Sequence, residues 1–182
     1  RKALAGDHDV ELVETARRGH ATRLAQGAAA EGVEVVVVLG GDGTVNEAAN
    51  GLAGTDTALG VLPGGSTNVF ARTIGLPNDP VESTALLLEA LEVGSVKRVG
   101  LGWVNGRYFC FHVGMGYDAA LVEQVERRSG LKRWAGHPLF IWAGLTTYFK
   151  HFDVKHPHFR VRYPDGDRLD DGFFAVCANT NP

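Results

Sequence analysis

Residues 35–47 read Val-Val-Val-Val-Leu-Gly-Gly-Asp-Gly-Thr-Val-Asn-Glu, and this stretch decides the fold. Val35 to Leu39 are apolar without alternation, which predicts a strand covered on both faces, as in parallel α/β sheets. The glycines that follow let phosphate oxygens approach backbone amides closely, and a helix predicted over 45–53 adds unpaired N–H groups. The stretch therefore predicts a phosphate-binding turn at the end of a buried parallel strand.

Two acidic residues of this stretch have different expected roles. A carboxylate beside phosphates is repulsive unless Mg²⁺ bridges them, a cationic residue intervenes, or the carboxylate orients a reacting hydroxyl or water. We therefore expect Asp42 to belong to the chemistry. Thr44 and Glu47 have the spacing of a capping box, and for Glu47 this structural role stands beside a contact with a ribose or a neighbouring loop.

A second glycine-rich turn supports the first. Residues 58–62 predict a short strand, residues 63–65 (Pro-Gly-Gly) a turn, and residues 66–74 a helix. Three residues at the start of that helix are possible N-caps: Ser66, Thr67 and Asn68. Because neighbouring parallel strands end at the same sheet edge, both turns are expected to line one nucleotide site.

Three blocks of sequence together resemble the diacylglycerol kinase catalytic domain family, which also contains sphingosine kinases and bacterial lipid kinases. The blocks are Gly-Gly-Asp-Gly-Thr-Val-Asn-Glu at 40–47, Pro-Gly-Gly-Ser-Thr-Asn-Val-Phe-Ala-Arg at 63–72 and Gly-Met-Gly-Tyr-Asp-Ala at 114–119. The resemblance implies ATP-dependent phosphorylation of a lipid hydroxyl, foremost diacylglycerol to phosphatidic acid, with ATP and Mg²⁺ as cofactors.

Two alternatives stand beside this interpretation. NAD kinases share the Gly-Gly-Asp-Gly turn but usually place their Asn-Glu pair in a separate downstream loop, whereas Asn46 and Glu47 follow the turn directly here. A non-catalytic relative that binds nucleotide or lipid is the other alternative. Many relatives have Asp where this chain has Val69 and Gly100, and the family's presumed general base is expected after Pro182.

The resemblance also implies the site residues. Asp42 is the predicted catalytic residue, and no residue is assigned as a metal ligand on its own. Thr15 has an ordinary helix cap as its alternative role. The predicted nucleotide-binding residues are Thr15, Gly40, Gly41, Asp42, Gly43, Thr44, Asn46, Glu47, Gly64, Gly65, Ser66, Thr67 and Asn68.

The predicted fold class is α/β. An NAD-kinase-like, Rossmann-type ATP-binding domain at 1–95, without its first strand, precedes an incomplete, mostly β, sandwich-like domain at 96–182. We expect an internal fragment with little activity of its own. Further predicted helices cover 19–31, 80–92 and two parts of a helical insertion (117–128 and 137–150); further predicted strands cover 9–14, 97–104, 107–113, 158–163 and 173–178. Hairpin turns are predicted at 105–106 and 163–167.

Composition limits the partners. The 182 residues are 45% hydrophobic and 21% charged with a net charge of −3, which argues against a nucleic-acid partner. No run of about 18 apolar residues predicts a membrane span. Cys110 and Cys177 lack close cysteine partners, so we expect no disulfide or zinc site and a cytoplasmic setting. A lipid presented at the inner membrane surface is the expected substrate, and a homodimer is left open.

Overall fold

A computed structural model of the chain describes residues 3–126, 144, 146, 153, 156–162, 166 and 169–179. The chain forms two compact units, Arg1–Phe111 with Ala178–Pro182, and His112–Cys177. The α/β fold class is confirmed. The division into functional domains at 1–95 and 96–182 remains a prediction, because compactness alone does not define a functional domain.

The first unit alternates helices and strands before it ends in a hairpin. A 3₁₀ turn at Leu4–Gly6 comes first. The elements that follow are α1 His20–Ala30, β1 Val35–Gly40, α2 Asp42–Leu52, β2 Ala58–Pro63, α3 Val69–Thr73, α4 Pro80–Glu92, β3 Gly102–Val104 and β4 Arg107–Phe109.

Strands β1 and β2 pair in parallel, from Val35 opposite Ala58 to Gly40 opposite Pro63. Helix α2 packs on this pair with buried residues at i, i+3, i+4 and i+7, which is the apolar face of a helix. The core around it contains Ala25, Val38, Val45, Ala48, Ala49, Leu52, Val61, Phe70, Ala71 and Cys110. The predicted parallel strand and its following helix are therefore present. The strand is not covered on both faces as predicted, because Val38 is its one buried residue and Leu39 is 66% exposed.

Two helices begin at other residues than predicted, one because of backbone hydrogen bonds at its start and one because of a residue in the left-handed conformation. Helix α2 begins at Asp42, three residues before the predicted start, because the Gly41 carbonyl accepts hydrogen bonds from Thr44 and Val45. Helix α3 begins after Asn68, whose φ of 47° is not helical. Helix α4 covers the predicted 80–92 and is capped by Asp79, whose carboxylate accepts two backbone N–H bonds.

Three strand predictions were wrong or too long. Residues 9–14 form no strand, and Leu12 and Val13 are 63% and 49% exposed, so this apolar run has no sheet to cover. The strand predicted over 97–104 is reduced to Gly102–Val104. The strand predicted over 107–113 is split after Phe109, because the Cys110 amide bonds to a side chain of α2 rather than to a strand.

The Asn105-Gly106 hairpin is confirmed. Both residues have positive φ, 46° and 79°, as a two-residue turn between twisted strands requires. Strands β3 and β4 are antiparallel, and Trp103 meets Tyr108 edge to face with ring centroids 4.5 Å apart.

The second unit contains β5 His112–Gly116, α5 Tyr117–Glu126, β6 Phe159–Arg162, β7 Leu169–Gly172 and β8 Phe174–Ala178. Strand β5 pairs with β8. Strand β6 pairs antiparallel with β7, as the predicted chain reversal after residue 163 requires, but its partner 169–172 was not predicted as a strand, and the predicted strand 173–178 pairs with β5 instead. Of the predicted turn at 163–167, only residue 166 lies within the described residues. Arg160 lies opposite Asp171 and donates two hydrogen bonds that hold the pKa of this carboxyl below its usual range. Of the helix predicted over 137–150, only residues 144 and 146 lie within the described residues. None of the described helices is long and apolar enough to cross a membrane.

Candidate functional site

The two glycine turns meet at the edge where β1 and β2 end. The Gly64 N–H donates to the Gly40 carbonyl at 2.9 Å, which extends the parallel pairing into the turns. A Cβ on Gly65 would lie 2.6 Å from the Gly41 Cα, and one on Gly64 would lie 2.9 Å from the Gly40 nitrogen. The turns therefore touch backbone to backbone, which only glycine permits.

Asp42 joins the two turns through its carboxylate. It is the first residue of α2, and its Oδ1 accepts a hydrogen bond from the Phe70 N–H at 3.1 Å. Phe70 lies in the first turn of α3, where backbone N–H groups lack intrahelical partners. Asp42 thus caps the neighbouring helix, and its carboxylate retains further acceptor capacity.

Asn68 shapes the second turn from inside. Its side chain is buried, its Oδ1 accepts from the Gly65 N–H at 2.9 Å, and its Nδ2 donates to the Gly65 carbonyl at 3.0 Å. Nδ2 also donates to the Asn78 side chain at 2.7 Å. Ser66 and Thr67, in contrast, are exposed at the rim with their hydroxyls 3.4 Å apart.

An open groove of about 410 Å³ lies at the start of α2, lined by Thr15, Ala16, Arg17, Arg18, Gly43, Thr44 and Glu47. The groove brings Thr15 together with three predicted residues of the first glycine turn and its helix. Sequence reasoning missed Arg17 and Arg18. Their signal was two adjacent arginines, separated from Thr15 by one alanine, in a chain of net negative charge.

The capping box predicted for Glu47 and the helix cap predicted for Thr15 are both wrong, whereas the alternative contact of Glu47 with a neighbouring loop is present. Glu47 does not form a capping box with Thr44; its Oε1 accepts the N–H of Gly19, the N-cap of α1, at 2.8 Å. The Glu47 carbonyl also accepts from the Thr22 hydroxyl at 2.9 Å. Thr15 caps no helix, because α1 begins five residues later, at His20. Glu47 instead fixes the groove by holding α1 against α2.

The Asn46 side chain forms hydrogen bonds with the backbone of Tyr108 and Cys110. Its Oδ1 accepts from the Cys110 N–H at 3.0 Å, and its Nδ2 donates to the Tyr108 carbonyl at 3.2 Å. Two of the predicted nucleotide-binding residues, Asn46 and Asn68, thus use their side-chain amides for hydrogen bonds to protein backbone. The part of the predicted set that borders the turns and the groove consists of the glycines with Thr15, Asp42, Thr44, Glu47, Ser66 and Thr67.

The charge of Asp42 reaches Cys110. Burial, followed by the negative charge of Asp42, raises the pKa of the Cys110 thiol from its ordinary value of 9.0 to about 11. The thiol is therefore protonated near neutral pH. Among the described residues, no three His, Cys, Asp or Glu side chains are placed to bind a metal ion.

Fold and site together define an α/β chain of the NAD-kinase-like type, with two glycine turns joined by one carboxylate. More specifically, the chain belongs to the diacylglycerol kinase catalytic domain family, whose model matches residues 1–104.

Individual relatives agree with this assignment. The chain is 34% identical over 176 residues to "Probable lipid kinase YegS-like" of Chromohalobacter salexigens, covering 94% of this chain and 54% of that protein. It is 36% identical over 129 residues to the diacylglycerol kinase of Bacillus subtilis, covering 70% and 41% of the two chains. The chain thus spans about half the length of the curated relatives it matches.

A solved structure shares the fold. The "Crystal structure of a putative diacylglycerol kinase from Bacillus anthracis str. Sterne" superposes with a TM-score of 0.70 at 28% identity, covering 94% of this chain and 56% of that one.

Proposed function

We propose that the full-length protein is an ATP-dependent lipid kinase that transfers the γ-phosphate of MgATP to a lipid hydroxyl, foremost that of diacylglycerol. Family membership supports the kinase class. The observation that carries the nucleotide part is the pair of glycine turns in backbone contact, bridged by Asp42. The lipid would be presented at the inner membrane surface, where the protein would act from the cytoplasm.

The first turn of α2 supplies the phosphate cradle. Among the described residues, no side chain caps this helix. The Thr44 and Val45 N–H groups bond to the Gly41 carbonyl, so the cradle would use the N–H groups of Asp42 and Gly43, which have no partner within the helix. Such amides, with the positive end of the helix dipole, favour bound phosphate. The bare Cα of Gly43, which has open space around it, lets phosphate oxygens approach closely.

The groove beside α2 would hold the rest of the polyphosphate. Arg17 and Arg18 line it together with the Thr15 hydroxyl. Guanidinium groups bind phosphate through directed N–H donors, and here they would offset the negative charges of Asp42 and Glu47. Ser66 and Thr67 offer hydroxyls at the rim of the second turn.

Mg²⁺ fits this donor set. The ion commonly binds through one or two carboxylates plus substrate phosphates, and Asp42 places one carboxylate beside the cradle. When bound, Mg²⁺ would neutralise charge on the transferring phosphoryl group. Asp42 would hold the metal or orient the acceptor hydroxyl.

The proposal is tested by a phosphotransfer assay on the full-length protein. Radiolabelled ATP and Mg²⁺ are supplied with diacylglycerol, sphingosine, a glycolipid and NAD, and the products are separated by chromatography. We expect label in phosphatidic acid. Label in NAD alone would support an NAD kinase, and ATP binding without product from any acceptor would support a non-catalytic relative; either result would overturn the proposal.

The role of Asp42 is tested by two substitutions with different structural consequences. Asp42→Asn keeps an oxygen that can accept the Phe70 N–H but removes the charge, so turnover should fall on the order of 100-fold or more with the fold intact. Asp42→Ala should also lose about 1 kcal/mol of unfolding free energy, because the α3 cap is lost. Steady-state kinetics and urea unfolding measure the two effects. Near-normal turnover in Asp42→Asn would remove this carboxylate from the mechanism.

A further inference from the structure

Two asparagines of α2 form hydrogen bonds with one short backbone segment, residues 108–110. Asn46 bonds to the Tyr108 carbonyl and the Cys110 N–H, as described above. Asn50 accepts from the Tyr108 N–H at 2.8 Å and donates to the Tyr108 carbonyl at 2.9 Å. We call Asn46 and Asn50 the amide clamp.

The amide clamp shares a helix face with Asp42. Residues 42, 46 and 50 follow one another at intervals of four, which places them on one side of a helix. The Asn50 Nδ2 also donates to the Asn46 carbonyl at 2.8 Å, which ties the two clamp residues together. The hydrogen bonds of Asn46 and Asn50 to Tyr108 and Cys110 show that this face runs along residues 108–110.

The hydrogen bonds from the amide clamp to residues 108–110 resist rotation of α2 about its axis. Amides at a helix N-terminus point along the axis, so a small rotation scarcely changes what they present to a phosphate. A side chain such as that of Asp42 projects away from the helix axis, so rotation of the helix displaces its carboxylate. Rotation of α2 would also leave polar groups of residues 108–110 without partners, which costs about 1–3 kcal/mol for each buried group.

We propose that Asn46 and Asn50 are positioning residues that hold the rotation of α2 and thereby aim the Asp42 carboxylate, and that Asn46 does not itself contact the nucleotide. The consequence for turnover rests on the proposed kinase function. The contact between the clamp and residues 108–110 does not, so the two can fail separately.

The first test follows the Cys110 thiol, which is 1% exposed. Alkylation of the full-length protein by iodoacetamide is measured peptide by peptide by mass spectrometry, with exposed Cys177 as the reactive internal reference. Asn46→Ala and Asn50→Ala should each raise the labelling rate of Cys110 about tenfold, because the backbone that buries it is released. Thr55→Ala, which removes a side-chain bond just past the other end of α2, is the matched control and should leave the rate unchanged.

The second test asks whether the clamp aims Asp42. In the wild type, Asp42→Asn should speed Cys110 labelling, since the neighbouring negative charge is removed. In the Asn46→Ala background, the same substitution should have less than half that effect. An undiminished effect would show that Asp42 keeps its place without the clamp, and would overturn the proposal.

The third test separates positioning from nucleotide contact. Asn46→Ala and Asn50→Ala should lower kcat on the order of 10- to 100-fold, while the KM for ATP changes less than about threefold. Because both residues bond to the Tyr108 carbonyl, the double variant should lose less than the sum of the two effects. Thr55→Ala should keep the wild-type kcat.

Calorimetry with ATP distinguishes the competing role of Asn46. If Asn46→Ala weakens ATP binding tenfold while the Cys110 labelling rate is unchanged, Asn46 is a nucleotide ligand and the proposal fails. Should the alanine variants not fold, Asn46→Asp replaces them in the kinetic test and in calorimetry, because it keeps an acceptor for the Cys110 N–H and loses the donor to Tyr108. It is not used for labelling, since its added negative charge would itself slow the alkylation of Cys110. If the wild type phosphorylates no acceptor, the two labelling tests and calorimetry still decide the proposal.

Discussion

Single residues decide how closely the two turns approach. Gly65 has no room for a Cβ, which would lie 2.6 Å from the Gly41 Cα, whereas a Cβ on Gly43 would meet nothing within 4 Å. The two glycines therefore serve different needs. Gly65 is required by the fold, and Gly43, if the proposed function holds, is required by the ligand.

This difference gives a prediction for Gly43→Ala. Alanine suits a helix better than glycine, so the free energy of unfolding should rise by a few tenths to about 1 kcal/mol. ATP affinity should fall, because the new methyl group stands where phosphate would approach. Urea unfolding and calorimetry measure the two changes. Gly65→Ala is the contrast and should lower stability; unchanged ATP affinity in Gly43→Ala would argue against the cradle.

The Cys110 thiol gives a pH prediction. Its pKa is raised to about 11 by burial and by Asp42, above the ordinary 9.0 of an unfolded chain. The resulting stability is fully present below pH 9 and is lost as pH rises to 11, by as much as roughly 3 kcal/mol. Urea unfolding across this range should show a steeper loss for wild type than for Cys110→Ala, in which only the other titrating groups contribute. Parallel losses in the two proteins would contradict the assignment.

At the scale of elements, helix α2 is the part on which the site depends. It supplies part of the core, the start of the proposed phosphate cradle, Asp42 and the amide clamp. Its contact with α1 is close at Gly51, where a Cβ would lie 2.5 Å from the Thr22 carbonyl oxygen and 2.8 Å from the Ala25 Cβ. Small residues thus allow the two helices to approach, and Glu47 fixes their register through Gly19.

Gly51→Ala should therefore separate α1 from α2. Overpacking of this kind costs about 1–3 kcal/mol, and the groove between Thr15 and Gly43 should change with it. Gly27→Ala is the matched control on α1, since its Cβ would meet nothing within 4 Å, and should stabilise the protein by about 0.5–1 kcal/mol. Thermal unfolding of both variants shows whether each substitution raises or lowers the stability. Equal effects would show that the α1–α2 contact tolerates a methyl group.

At the scale of the whole molecule, the predicted nucleotide residues all lie in the first compact unit. Nucleotide binding should therefore stabilise that unit by mass action, by about 2.7 kcal/mol at a ligand concentration one hundred times Kd. The β6–β7 hairpin of the second unit contains none of these residues.

Hydrogen exchange measured by mass spectrometry tests this distribution. With ATP and Mg²⁺, amides in peptides covering 40–47 and 64–70 should exchange more slowly, because phosphate oxygens would accept hydrogen bonds from them. Peptides covering β6 and β7 should be unchanged, and they serve as the internal control. Protection confined to the second unit would place the nucleotide away from the glycine turns.

The sequence by itself determined the features that depend on near neighbours. The unbroken apolar run predicted β1, the Asn-Gly pair predicted the β3–β4 hairpin, and the helix predicted over 80–92 has the observed bounds of α4. Each follows from backbone preferences within a few residues. The same reasoning failed at 9–14, because an apolar run becomes a strand only where a sheet exists to pair with it.

Only the tertiary structure decided what the polar side chains of α2 bind. Asp42 caps α3 28 residues away, Glu47 caps α1 28 residues away, and Asn46 holds a backbone amide 64 residues away. Spacing along the chain suggested a capping box for Glu47, and the family resemblance implied a nucleotide contact for Asn46. The partner of a polar side chain is set by which buried backbone groups the packing brings within reach, and that information lies in the fold rather than in any local motif.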